Sequence, residues 1–149
     1  MKKLLVDTNI IIDLLAKREE FYEPSAQLFS LADQKKVELY ACALTFANAH
    51  YILNRQLEER KVREVLRKLK VLVNVISMDS KIIDLALNSD FKDFEDAIQY
   101  YAAIESEVDI IITRNLKDFK KSELPVMTGH QFLKMNKGEQ NTNTASQNR

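Results

Sequence analysis

Only two glycines and a single cysteine occur in the 149 residues. One glycine, Gly138, falls near the C-terminal end, so no glycine-rich loop can cradle phosphates, and Walker-type and dinucleotide-binding readings are poor. The lone Cys42 rules out an internal disulfide and fits a reducing compartment. It lies in an apolar stretch, where a small buried residue is the expected reading over a reactive thiol. His50 and His130 are isolated, with no cysteine or second histidine at ligand spacing, which argues against zinc. Charge of one sign is lacking too. Lys plus Arg and Asp plus Glu both number 22, so any nucleic-acid binding must come from local charge. No apolar run approaches the roughly 20 residues needed to span a bilayer. Asp7 and Asp13 interrupt the hydrophobic start too early for a signal peptide, and a soluble, cytoplasmic protein is expected.

What is present is a hydrophobic fraction of 46%, enough for one core in one compact unit. Short apolar runs at 3–6, 38–41, 73–76, 110–113 and 126–127 read as strands. Helical patterns lie between them: 9–15, a helix from about Pro24 through Ala32, one from Thr45 past Leu53, and one carrying Val62, Val65, Leu66 and Leu69. Two more follow Asp79-Ser80 and span 95–105. Alternation of this kind predicts an α/β fold, a three-layer α/β/α domain around a parallel sheet of about five strands. The domain is expected over 1–136. From Lys137 onward large apolar residues are absent, and 137–149 reads as a disordered polar tail.

Parallel sheets bind ligands at the carboxyl ends of their strands, beside a topological switch point. Polar signals gather at those positions. Asp7-Thr8-Asn9 follows the first strand, Asp93-Phe94-Glu95-Asp96-Ala97 opens a helix, and Asn115 with Asp118 follows the most hydrophobic strand. Each has a bland explanation. Asp7 or Thr8 could cap a helix, Asp93 and Glu95 suit a positive helix end, and Asn115 or Asp118 could cap a short one. Capping alone leaves Asp96 on a face heading into the core. Carboxylates clustered this way repel unless a cation lies between them, and hard oxygen ligands suit Mg²⁺ or Mn²⁺. For phosphate contacts, Arg114, Lys117, Lys120 and Lys121 stand nearest the acids. The segment 55–70 carries seven basic residues against three acidic, which reads equally well as a substrate surface or a solvated helix face.

Taken together, these three motifs resemble the PIN domain, the nuclease fold of many bacterial toxins related to VapC, over roughly Leu4 to Phe132. The resemblance implies a parallel sheet with helices on both faces, a divalent metal held by acids, and metal-assisted cleavage of RNA. By motif position, Asp7, Asp96 and Asp118 would be the metal-site acids, joined by Asn115 as a catalytic residue. Thr8, Asn9, Asn48, Asp93 and Thr113 would support them. An antitoxin partner and a homodimer are implied as well. Two positions depart from the family pattern. Thr45-Phe46-Ala47-Asn48 puts an amide where members carry a glutamate, and Asn115 stands where many have an acid, so fewer negative charges are expected. The rival reading is therefore a weakened PIN-fold module that binds RNA or protein without turnover. A haloacid dehalogenase-like phosphatase with Asp7 as nucleophile fits poorly, because Asn9 occupies the place of its second aspartate.

Overall fold

Leu4, Leu5 and Val6 are all completely buried, as a central parallel strand covered on both faces requires. The computed structural model describes residues 1–147. Five strands form one parallel sheet: β1 (Lys2–Val6), β2 (Val37–Cys42), β3 (Val73–Ile76), β4 (Ile110–Ile112) and β5 (Val126–Met127). Their spatial order is β3-β2-β1-β4-β5. The chain winds outward from β1 in one direction and then resumes on the other side, so the switch point falls between β1 and β4. Register is set by Leu4 opposite Leu39 on one side and opposite Ile110 on the other.

Side chains alternate across the strands and build two cores. Leu4 and Val6 pack with Leu39, Ala41, Ile110 and Ile112 against α1 (Thr8–Leu15), α2 (Tyr22–Asp33), α3 (Ala43–Leu53), α4 (Glu59–Leu72) and α7 (Gly129–Gln147). Leu5, Cys42 and Ile111 face α5 (Ser80–Leu87) and α6 (Phe94–Glu105) on the opposite side. The expected three layers are thus present, and Cys42 is one of the small buried residues of the second core.

Helix starts follow their caps. Asp79 accepts a bond from the Ile82 amide at 3.0 Å, and Asp93 accepts one from the Asp96 amide at 2.9 Å. A reciprocal pair, Thr128 with Gln131, opens α7. Asp7 stands at the N-cap position of α1, yet its side chain makes no capping bond. With glycine scarce, the left-handed turns after α1, α2 and α6 fall on Lys17, Lys35 and Glu107, all at positive φ.

Some boundaries differ from expectation. The strand at 110 stops at Ile112, leaving Thr113 in the following turn, and α3 starts two residues before Thr45. The larger correction concerns the C-terminal end: the segment expected to be disordered from Lys137 is helical as far as Gln147, and position 136 falls inside α7. Phe132 and Leu133 anchor the start of this helix in the core, so each further turn is an extension rather than a costly nucleation. Glu139 also pairs with Lys2 at 2.9 Å, although both are surface groups and the pair adds little stability. Asn148 and Arg149 lie outside the described residues.

Candidate active site

Because β1 and β4 are neighbours, their carboxyl ends deliver Asp7 and Thr113 to the same spot. Asp7 is only 4% exposed. Thr113 Oγ1 donates to Asp7 Oδ2 at 2.8 Å, and Gln99 Nε2, from α6, donates to Oδ1 at 3.0 Å. The Asn115 amide N–H in turn donates to Thr113 Oγ1 at 3.1 Å, and the hydroxyls of Thr8 and Thr45 meet at 3.0 Å. These partners fix the Asp7 carboxylate without supplying any positive charge. Burial raises its pKa above the ordinary aspartate value; the bonds from Thr113 and Gln99 oppose this, and Asp118 adds to it.

A cavity of about 550 Å³ opens above Asp7, with Asp96, Asp118 and Glu95 around it. Thr8 and Asn9 line it from α1, Asn48 from α3, and Asp93 from the cap of α6. The positive end of α6 explains why acids are tolerated in its first turn. It does not neutralise them. The carboxyl of Asp96 is pushed up to about 7, first by burial and then by Asp93, Asp7, Asp118 and Glu95. The pocket therefore carries more negative charge than it can comfortably ionise.

The donor set bears on which cation could relieve that charge. Its acidic lining offers only oxygen donors from Asp and Glu, with no histidine or cysteine, which is the chemistry of a hard divalent ion. Among the described residues no three such side chains stand close enough to ligate one ion together. Mg²⁺ takes one or two carboxylates and keeps several waters, so an open arrangement of this kind suits it better than a closed cage would.

Two predicted site residues lie elsewhere. Asn115 borders a neighbouring cavity of about 600 Å³ and contributes to the acid site only through its backbone, because the turn after β4 directs it toward α1 and α2. Arg114 belongs to that neighbouring region as well. Its Nε lies 2.7 Å from Asp13 Oδ2, close enough for an ion pair though not aligned as a hydrogen bond, and its Nη2 donates to Oδ1 at 3.1 Å. The guanidinium also lies 3.9 Å above the centre of the Phe21 ring. So occupied, Arg114 is not the free phosphate contact expected of it. Lys117, Lys120 and Lys121 do flank the acids, in a smaller cavity that shares Asp93, Asp96 and Asp118 with the larger one.

Several members were missed from sequence. Gln99 follows Asp96 by three residues, one turn along the same helical face, and that spacing was the available signal. Glu95 read as a helix-end acid, yet its Oε2 accepts from Asn48 Nδ2 at 3.1 Å across the cavity. That bond also answers the question of where Asn48 points: it faces the site. Tyr51 and Arg55 line the same cavity; Tyr51 carried no motif, and Arg55 is the first base of the 55–70 segment read as a substrate surface or a solvated helix face.

Residues 3–117 match the sequence profile described as PIN domain. The chain belongs to the PIN domain family. Ribonuclease VapC1 of Aquifex aeolicus (strain VF5) is 23% identical over 136 residues, covering 88% of this chain and 93% of the relative. Solved structures share the fold, two of which illustrate it. A toxin-antitoxin complex from Klebsiella pneumoniae matches with TM-score 0.62 and 25% identity over 85% of this chain and 97% of the other. FitAB bound to an IR36 DNA fragment matches with TM-score 0.66 and 18% identity, over 85% and 94%. No helix among the described residues is long and apolar enough to cross a membrane.

Proposed function

We propose that this protein is a cytoplasmic, metal-dependent endoribonuclease, a hydrolase of RNA phosphodiester bonds, and the toxin half of a toxin-antitoxin pair. One observation carries the reading: Asp7 is buried, held only by neutral donors, and opens onto a cavity shared with Asp96 and Asp118. The name of the Aquifex relative supports RNA as substrate, and the Klebsiella complex supports an antitoxin partner. A homodimer is the proposed form of the toxin itself.

Asp7, Asp96 and Asp118 line one cavity and would together hold hydrated Mg²⁺ or Mn²⁺, with one or two of the carboxylates as direct ligands. When bound, such an ion supplies a Lewis acid for a phosphoryl oxygen and lowers the pKa of a water. The protein's own groups do the rest. Thr113 and Gln99 keep the Asp7 carboxylate in one orientation, so no reorganisation is needed at the moment of reaction. Lys117, Lys120 and Lys121 offset the repulsion that the acids exert on an approaching phosphodiester. Asn9 and Asn48 present amides at the cavity wall, where they can bond to ligand oxygens.

Cleavage of a structured RNA by purified protein should require Mg²⁺ or Mn²⁺ and stop in EDTA. Asp7→Asn and Asp96→Asn should each slow it about a hundredfold or more. Equal cleavage by parent and both variants would overturn the assignment. The alternative, a binding module without turnover, rests on Asn48 and Asn115, amides where the family pattern has acids; the Asn48 amide donates to Glu95. RNA binding with no metal-dependent cleavage would decide for it.

A further inference from the structure

Arg55 is the sole base among the residues bordering the acid cavity, and it shares that border with Asp7, Asp96, Glu95 and Asp118. A guanidinium so placed would ordinarily be drawn to a carboxylate. Among the described residues it forms no ion pair with any of them. It is instead held by Tyr51, one turn earlier on α3: its Nη2 donates to the Tyr51 hydroxyl at 3.2 Å, and its Cζ lies 4.8 Å from the ring centroid. The negative end of α3 helps explain a cation at this position. It does not explain the tyrosine, which also borders the cavity and is 65% exposed. A large aromatic ring left open to water beside a fixed guanidinium has the composition of a surface for unpaired nucleotides. Aromatic faces stack splayed bases, and arginine contacts phosphate or adds a cation–π component.

The position of the pair strengthens this. The larger cavity, with Arg55, and the smaller one, with Lys117, Lys120 and Lys121, meet along Asp93, Asp96 and Asp118. A strand laid across the acids meets cations on both flanks; on the α3 flank it also meets the exposed Tyr51 ring, whereas Phe91 on the lysine flank is half-buried against Tyr100 and Phe119. We infer that Tyr51 and Arg55 form a docking element for single-stranded RNA, Tyr51 stacking on an unpaired base on one side of the scissile phosphate and Arg55 binding a neighbouring phosphate. The inference rests on the nuclease reading and adds the two side chains that would hold an unpaired segment beside the acids; a continuous duplex, whose bases are already stacked on one another, offers Tyr51 no free face.

The test is fluorescence anisotropy with a labelled single-stranded RNA of about 12 nucleotides and with the same RNA annealed to its complement. It is performed in the Asp7→Asn background, which removes turnover and one repelling charge. Tyr51→Ala should weaken single-strand binding about tenfold, with Tyr51→Phe close to the parent because the ring remains. Arg55→Ala should weaken binding and lower the salt slope by about one. The duplex should bind less tightly and be indifferent to Tyr51→Ala. Parent-like binding by both alanine variants would overturn the inference, as would a Tyr51→Phe defect equal to that of Tyr51→Ala. Failure of binding by the parent would overturn it too. Metal-dependent cleavage, measured separately with Asp7 intact, keeps the two readings apart: cleavage without a Tyr51 effect sinks this inference alone, and a Tyr51 effect without cleavage sinks the nuclease.

Discussion

Asp7 and Asp13 lie one after the other along the same short stretch of chain, both are buried, and the protein answers their charges in opposite ways. Asp13, 0% exposed, faces Arg114 and Arg18, two cations that neutralise it inside the fold. Asp7 receives only an amide and a hydroxyl. Burial pushes both carboxyls up, against the pull of guanidinium groups in one case and of neutral hydrogen bonds in the other. The difference separates a charge that is consumed by structure from one left available to a ligand. An aspartate's burial alone says nothing about function; the charge of its partners does.

The comparison is broken most forcefully at Arg114. Arg114→Ala leaves Asp13 buried with only the more distant Arg18, and should cost about 3 kcal/mol, read as a lower midpoint in urea denaturation. A variant as stable as the parent would mean that Asp13 is not held by charge.

Asp7→Asn should act in the opposite direction. An amide removes the unneutralised charge, and Gln99 can turn its Oε1, now without a hydrogen-bond partner, toward the new N–H₂. The metal-free melting temperature should rise by about 3 °C. Most of the upward shift that Mn²⁺ gives the parent should vanish, since a ligand stabilises only through the folded state it binds. Melts in EDTA and in Mn²⁺ check both halves. A lower melting point in EDTA with a full Mn²⁺ shift would make Asp7 structural like Asp13.

The gentlest effect is on pH dependence. Asp96 has a folded pKa of about 7 against an ordinary value of 3.8, so its protonated form is the one the fold favours. That contribution is fully present below about pH 4 and is lost as pH rises through about 7. Without metal, the parent should therefore lose stability over this window, and Asp96→Asn should flatten the decline. An unchanged slope in melts from pH 4 to 8 would show that Asp96 does not feel its neighbours.

Much of this was legible beforehand. Strand positions followed from runs such as Ile110-Ile111-Ile112, and the parallel three-layer fold followed from alternation with helices. Asp7 and Asp118 stood out by following strands with no apolar duty, and Asp96 by sitting in the first turn of a helix on a face heading into the core. What stayed hidden depends on tertiary pairing. Nothing local distinguishes Arg114 from Lys117 as a phosphate ligand until Asp13, 101 residues away, is seen to bind it. Tyr51 carries no signal of its own in the sequence, and Arg55 reads only as the first base of the 55–70 segment, because the acids opposite them come from other elements. The end of α7 was misread because composition cannot show that Phe132 has already anchored the helix.

The bond between Asp7 and Thr113 spans 106 positions of sequence. β1 can pair with β2 early in synthesis, but β4, which Thr113 follows, comes after four further helices and a strand. No partial chain ending before Thr113 can orient Asp7 as the finished protein does, and Asp118 comes later still. For a protein whose activity would be directed against RNA, that order has a biosynthetic meaning: the chemistry is withheld until the chain has been made past Asp118.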